Sequence, residues 1–483
     1  MTLDSPAMDH LANASIKRLS VLAMFVCFNV LGNVDFEHLA NKSVTCSLVQ
    51  STKDSNQTIL VGKLVGYRDT QSRAILVERG VIQNIGVIEE IRARAPYANV
   101  INCNDGYISA GFVNAHEHPP YSAGKPGPNV SPVYSNRYQW QGSAGDQYPE
   151  IAYSRVENDA QLFWVELRHL LAGTTTMAGN GAVPGLLKNV GSGDKDVGFV
   201  YEADMKTFPF PQAIDEFNDL PLPYSGPSVE PELTEGVDTQ SPYIPHIAEG
   251  KDDLSRVEAQ LFLDYVERNP GRRFGLIHGV GLSRSDVPRM RSLDVTLIWA
   301  PRSNLALYGE TVDVPHLLEN DVRVALSTDW SYSGSYNMLE SFKCAQHVVD
   351  ERWNSGVSAK VLWRMATENG AYALDLEEKT GALKPGLAAD LVIVKAKTDD
   401  PFADLIASEV ADVMATFVDG KLVTGDRSAF DLSELPASCS NFVGDYFVCD
   451  DLSERDFTWQ QLLAINEDAV PLFESEGQAS CSF

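Results

Sequence analysis

The sequence predicts an α/β fold: a (β/α)8 TIM-type barrel with a small sheet domain built from both chain ends. Three observations predict it. Short apolar runs alternate with helical or turn-rich segments from residue 111 to 375, and such alternation gives a parallel sheet with right-handed crossovers. The histidines and carboxylates suited to chemistry fall at the ends of those runs, where a barrel carries its site. Before residue 108 and after residue 381 the pattern changes to short strands and hairpins. A chain of 483 residues has room for one large barrel and a small domain, and 44 % apolar residues can fill its core. The net charge of −28 argues against nucleic acid or an anionic membrane surface as a partner.

In chain order, Lys17 and Arg18 precede an apolar run, Leu19 to Leu31. It is short for a transmembrane helix, and a basic flank before a short apolar core is the signal-peptide pattern. Val30 and Gly32 are the candidate residues before a cut near Asn33. Residues 1–32 are therefore expected to be a signal peptide or an anchor, with secretion or an endomembrane location to follow; an ordinary buried helix is the rival reading. A membrane is a partner only if that segment is retained. Cleavage removes Cys27 and leaves six of the seven cysteines. Cys439 and Cys449 are spaced for a small disulfide loop, whereas spacing does not choose among Cys46, Cys103 and Cys481. Asn41, Asn56 and Asn129 are glycosylation acceptors only in a secreted chain.

Residues 33–57 are polar and read as a linker. Ile59–Val65, Ala74–Val77, Val81–Val87 and Val100–Cys103 read as strands of a small antiparallel sheet, 58–108. The apolar run Ile108–Val113 reads as one buried strand leading into His116 and His118. Alternate residues of a strand face one side, so both imidazoles can point at one ion. Pro119 to Pro149 is a long irregular loop in which Tyr121, Tyr134, Tyr138 and Trp140 either cover a ligand or pack the loop down. Val156–Leu171 is helical and stops at Gly173, and Thr174–Met177 and Val197–Ala203 are strand candidates. A second long loop, Thr207 to Tyr243, precedes His246. Asp253–Arg268 is an amphipathic helix. Phe274–His278, Val295–Trp299 and Val322–Leu326 are strands, and Ser358–Leu374 is one helix. The barrel thus spans 109–380. The segment 381–427 carries a strand from Asp390 and a hairpin of Val413–Val418 with Lys421–Val423, the partner of the first sheet. The acidic tail, 428–483, carries no pattern that places it.

The strand ends give a short list: His116, His118, His246, Glu249, His278 and Asp329. Three imidazoles and a carboxylate suit zinc or iron and can leave the ion acidic enough to ionise a water. His169, His316 and His347 lie in helical segments and read as surface or packing residues.

At this point the chain resembles the amidohydrolase superfamily, in the branch of cytosine, guanine and adenosylhomocysteine deaminases and the s-triazine hydrolases. The resemblance rests on Ile108-Ser-Ala-Gly-Phe-Val-Asn-Ala-His-Glu-His, Ala172-Gly-Thr-Thr-Thr, His246-Ile-Ala-Glu and Ile277-His-Gly-Val. It continues through Pro301-Arg-Ser-Asn-Leu, Ser327-Thr-Asp and Gly381-Ala-Leu-Lys-Pro-Gly-Leu-Ala-Ala-Asp-Leu-Val. These run in the family's order across residues 58 to 424. The resemblance implies a metal barrel with a small β-sandwich domain built from both chain ends. It implies that His116, His118, His246 and Asp329 bind one divalent ion, zinc first and iron second. Asp329 is then placed to take a proton from water, Glu249 to deliver one to a substrate nitrogen, and His278 to polarise the electrophile. Asn304, Trp330 and Tyr121 are expected at the substrate. A second metal in this superfamily is usually bridged by a lysine; Lys206 is the nearest candidate but fits no pattern, so one metal is expected. The implied activity is hydrolysis of a non-peptide carbon–nitrogen bond in a small molecule, deamination of an amino-heterocycle or cyclic amidine first. Amide or lactam hydrolysis is the alternative on the same site, and a catalytically silent binding protein the alternative of another class. A homo-oligomer is left open.

Overall fold

The computed structural model describes residues 46–50, 55–68, 73–123, 133–141, 148, 150–156, 158–179, 183, 186–190, 242–353, 356–450, 452, 455–473 and 481. The apolar leader, Asn33, Asn41, Asn129, the strand proposed at Val197–Ala203, Lys206 and nearly all of the second long loop lie outside the described residues. No helix among the described residues is long and apolar enough to cross a membrane.

Five strands come first: β1 (Ser47–Gln50), β2 (Gln57–Leu64), β3 (Ala74–Glu78), β4 (Val81–Gly86) and β5 (Asn99–Ala110). Seven follow in the central region: β6 (Phe112–Glu117), β7 (Thr174–Gly179), β8 (Lys188–Asn189), β9 (His246–Ile247), β10 (Gly275–His278), β11 (Thr296–Trp299) and β12 (Val324–Leu326). The last described strands are β13 (Leu391–Lys395), β14 (Val413–Val418), β15 (Lys421–Asp426), β16 (Asn441–Val443) and β17 (Tyr446–Val448). The outer strands form one ten-stranded sheet in the order β16-β17-β15-β14-β13-β5-β2-β3-β4, with β1 also on β5. It joins the two ends of the chain, as expected, at the antiparallel pair β5–β13. The β2–β5 pair is parallel, which the expected antiparallel sheet did not include. The stretch read as a linker also contributes a strand, β1.

The central strands are all parallel and form two sheets, β12-β11-β10-β9 and β6-β7-β8. A parallel bridge between Glu117 and Asp329 joins the end of β6 to the segment after β12. Val113 and Ala115 of β6, Ala178 of β7, Ile277 of β10, Ile298 of β11 and Ala325 of β12 share one apolar cluster. Their alternate neighbours, including Phe112, Met177, Leu276, Leu297 and Leu326, pack into a second core with the helices. Strands buried on both faces read as near-continuous apolar runs, which is why the sequence made β7, β10, β11 and β12 visible, whereas β8 and β9, two residues each, carry no such run.

Two expected elements are each divided in the structure. The run Ile108–Val113 is two strands, β5 and β6, in different sheets. The switch falls at Gly111: its N–H donates to Asp390, while the next residue, Phe112, donates to Gly173. A Cβ on Gly111 would lie 2.3 Å from the Thr175 side chain, so only glycine lets the chain cross there. The helix Ser358–Leu374 is likewise two helices, Ala359–Met365 and Glu368–Ala373. Ala366 accepts a hydrogen bond from Val113 of β6, which draws the intervening backbone out of the helical ladder. The helix expected from Val156 begins at Asp159, because Asn158 caps the Ala160 N–H.

The tail is part of the fold. Its strands β16 and β17 extend the large sheet. Its helix Trp459–Ile465, started by a capping box of Thr458 and Gln461, lies against the helix Asp159–Leu171. Trp164 donates to Val470, and Asn466 to Ala160. The expected Cys439–Cys449 disulfide forms, and Cys46 pairs with Cys103. Cys481 pairs with Cys344, a residue that spacing had given no role.

Candidate metal centre

The C-terminal ends of the parallel strands bring six of the sequence-derived residues together. β6 carries His116 one residue before its end and presents His118 just beyond it; β9 begins with His246, and Glu249 follows it; β10 ends in His278; and Asp329 follows β12. Backbone bonds fix the first and last of these to each other: His118 N–H donates to Asp329 at 3.0 Å, and Asp329 N–H to His116 at 3.1 Å. His278 and Asp329 hold left-handed backbone angles, φ of 71° and 70°. Such angles cost about 1–3 kcal/mol each for non-glycine residues and persist where the surroundings over-determine them.

One donor atom each from His116, His118, His246 and Asp329 lies within 4.8 Å of the others. That span suits a single ion at ligand distances of about 2 Å. His118 Nε2 faces His246 Nε2 at 3.3 Å, and Asp329 Oδ1 lies 3.1 Å from His116 Nε2 and 3.4 Å from His118 Nε2. Ring nitrogens aimed at each other repel when both carry lone pairs, and a shared cation removes that conflict. The charge states agree. Burial, then the neighbouring His116, pushes His118 down to about 4, although its side chain keeps 18 % exposure to the cavity. Burial, followed by His116 and His118, holds His246 well below the usual imidazole range. Burial alone would raise Asp329, but the His116 bond and the imidazoles of His278 and His118 hold it at about 2. Two neutral imidazoles and a carboxylate are ready ligands. The donor set therefore fits one divalent ion.

Beside this cluster, His246, Glu249 and His278 bring donor atoms equally close. Glu249 Oε1 is 3.7 Å from His278 Nε2. Burial raises the Glu249 carboxyl above its ordinary value; His278, Arg137 and the Tyr308 hydroxyl oppose this without cancelling it. A cavity opens over both clusters. Its walls include Tyr121, Trp140, Tyr153 and Trp330, and its floor includes Glu249, His278 and Asp329. Trp330 lies 5.5 Å from Trp140 and from Tyr153, ring centre to ring centre.

Residues 242–423 match the amidohydrolase family. The matched segment contains His246, Glu249, His278 and Asp329, whereas His116 and His118 precede it. The chain is also similar to a 5-methylthioadenosine/S-adenosylhomocysteine deaminase of Thermococcus sibiricus, 31 % identical over 37 % of this chain and 45 % of that one. A 5'-deoxyadenosine deaminase of Methanococcus aeolicus is 24 % identical over 74 % of this chain and 92 % of its own. The first three relatives are each spanned over only 40–49 % of their length. A zinc-bound adenosine deaminase structure from Xanthomonas campestris shares the fold at 17 % identity, with a TM-score of 0.57 over 85 % of this chain and 97 % of that one.

The cluster is supported by residues that the sequence reading left out. Glu117, between the two first histidines, is fully buried and accepts from Ser122 at 2.5 Å and from Thr328. His169 Nε2 lies 3.3 Å from it, so this helical histidine is a packing residue of the site. Burial would raise Glu117, but His169 and the two hydroxyls hold it below the usual carboxylate range. Ser303 donates to Asp329 Oδ2 at 2.5 Å. Asn304 does not line the cavity, contrary to expectation. Its Oδ1 sits 2.9 Å from His278 Nδ1 and its Nδ2 donates to the His278 carbonyl. This leaves His278 Nε2 facing the cavity. Tyr121 and Trp330 do lie in the cavity wall. Arg137, in the first long loop, forms a buried pair with Glu258, which also accepts from Ala248 at 3.1 Å. Arg137 N–H donates to the Glu249 carbonyl, so this loop straps the His246–Glu249 turn in place. Ser303 was within reach of sequence reasoning, since it stands in the Pro301-Arg-Ser-Asn motif. Glu117 stands inside the motif that ends His-Glu-His, but nothing in that motif announces its contacts with His169 and Thr328; Glu258 and Tyr308 carry no motif signal of their own.

Proposed function

We propose that this chain is a metal-dependent hydrolase of non-peptide carbon–nitrogen bonds, and that it deaminates an amino-heterocycle of the adenosine type. The convergence of His116, His118, His246 and Asp329 beneath an aromatic-walled cavity carries the reading. The named activities of the similar deaminases support the choice of heterocycle. The four residues would hold one divalent ion, zinc in this reading, which supplies the Lewis acidity that makes water a nucleophile at neutral pH.

The side chains do the rest. Asp329, ionised and fixed through Oδ2 by Ser303, accepts a proton from the attacking water. Glu249, raised by burial, donates one to a substrate nitrogen. His278, fixed through Nδ1 by Asn304, presents Nε2 to the oxygen that gains charge. The aromatic walls seat a planar ring and exclude water from it.

Two finer features belong to the same reading. The two parallel sheets are parts of one (β/α)8 barrel, and the ten-stranded sheet is its small β-sandwich companion. The continuous neighbour order through the Glu117–Asp329 bridge supports this. Maturation in an oxidising compartment is the second feature, supported by three disulfides among the described residues. Sequencing the mature N-terminus tests the leader.

Ammonia release by purified, metal-analysed protein across nucleosides, aminoheterocycles and cyclic amides tests the activity. Ammonia from an amino-heterocycle, dependent on about one bound ion, is the expected result. Metal without ammonia turns the reading toward amide or lactam opening, and a protein that binds no metal turns it toward a binding role.

A further inference from the structure

We propose that Tyr308, itself fixed by Trp140, is a positioning residue for Glu249: its hydroxyl occupies Oε1 and leaves Oε2 to carry and deliver the proton. The proposal rests on the reading of Glu249 as the acid of a carbon–nitrogen hydrolase.

Donor counting fixes the direction. An indole N–H only donates, and a phenol has a single O–H. Trp140 Nε1 lies 2.9 Å from the Tyr308 oxygen and donates to it. The Tyr308 hydrogen is then directed to its other neighbour, Glu249 Oε1, at 2.8 Å. A proton on Oε1 would meet that hydrogen head on. Glu249 Oε2, by contrast, is buried and has no hydrogen-bond partner among the described residues. A buried oxygen without a donor is costly as part of an anion and far less so as an O–H. Glu249 lines the cavity, and in the proposed arrangement that O–H is turned toward the substrate.

When the proton moves, the Oε2–H bond breaks and an N–H bond forms on the substrate. The electron pair left on the carboxylate is met at Oε1 by a hydroxyl already in place. Tyr308 keeps its own proton throughout.

Tyr308 is the last residue of the helix Pro301–Tyr308, which stops at Gly309 in the left-handed conformation. The same short helix supplies Ser303 to Asp329 and Asn304 to His278. One element therefore sets all three groups that handle protons or charge, each through a single side-chain bond. Trp140, at the other end of the chain of bonds, is part of the cavity wall. A ring seated against Trp140 bears directly on the bonds that orient the acid.

Tyr308→Phe tests this with two readouts. The first is infrared. Subtracting the Glu249→Gln spectrum at acid pH isolates the Glu249 carboxyl stretch, and loss of the hydroxyl donor moves that band to higher frequency. The second is kinetic, on the full-length holoenzyme with the best substrate found. In the Tyr308→Phe variant kcat falls about 10-fold, a part of the 10²–10⁴-fold typical of general acids, while KM stays within about 2-fold and metal content is unaltered. In a Glu249→Gln background the same substitution changes kcat by less than about 2-fold, because Tyr308 acts through Glu249. An unmoved band overturns the proposal, and so does a loss that persists undiminished without Glu249. Should Tyr308→Phe not fold, Trp140→Phe gives a smaller band shift of the same sign, and its absence is equally decisive. A shifted band in an enzyme that releases no ammonia sinks the deamination reading and leaves the orientation of Glu249 standing.

Discussion

At the scale of the residue, the proposed mechanism gives Asp329 two duties, as a ligand and as a proton acceptor. Asp329→Asn keeps the shape and removes the charge, so turnover is expected to fall by about 10³-fold or more with the circular dichroism unchanged. A near-normal rate in that folded variant would remove the mechanism. Glu117 acts one step further back. Glu117→Ala breaks its contacts with Ser122, Thr328 and His169 and is expected to weaken metal binding by about 10-fold, read by chelator competition. Unchanged affinity would confine Glu117 to packing. Because its carboxyl is held below the ordinary 4.5, its contribution to stability is present above that pH and is lost as pH falls through the lowered value. Glu117→Gln should therefore flatten the acid side of the stability curve. The ligands themselves were legible in the sequence, since strand ends and alternation reduce nine histidines to a few. Glu117 was not: its importance comes from His169 and Thr328, 52 and 211 positions away, and no local pattern encodes such a meeting.

At the scale of the element, apolar pattern revealed where strands lie but not where they part. Ile108 to Val113 has one continuous apolar character, yet Gly111 sends its two halves to different sheets. Ser358 to Leu374 has one helical period, yet a bond from Val113 divides it at Ala366. Both breaks are tertiary: the partner that makes them is distant in sequence. The turn after Asp329 is similarly constrained. Gly334 donates to the Trp330 carbonyl, and a Cβ there would sit 1.9 Å from the Thr328 carbonyl oxygen. That obstacle is backbone and cannot rotate aside. Gly334→Ala is expected to cost about 1–3 kcal/mol of stability and to displace Asp329 and Trp330 together. Unaltered metal content and KM in Gly334→Ala would show that the turn is softer than its geometry implies.

At the scale of the whole molecule, the pairing of the two chain ends could be read in advance because short apolar runs and a hairpin recur on both sides of the central region, Leu391–Val394 in β13 among them. The tail could not, because β16 and β17 have three residues each and its helix presents a mixed face. What holds the tail is partly covalent. Cys344 and Cys481 are 137 positions apart, whereas Cys439 and Cys449 are 10 apart. Closure entropy makes the long loop worth roughly 5 kcal/mol and the short one roughly 3. Replacing Cys481 by serine is expected to lower Tm more than replacing Cys449, with kcat unchanged in both. The reverse order would place the stabilisation in the small loop. The bridge between Glu117 and Asp329 has its own consequence. His116 and Asp329 stand 213 positions apart, so the ribosome has built most of the parallel strands before the fourth proposed ligand exists. Each strand between them must find its place before these backbones meet. A chain that stops short of Asp329 can offer at most three histidines to an ion, not the closed set. Metal retention is thus a certificate of complete folding, issued only when the first and last strands have met.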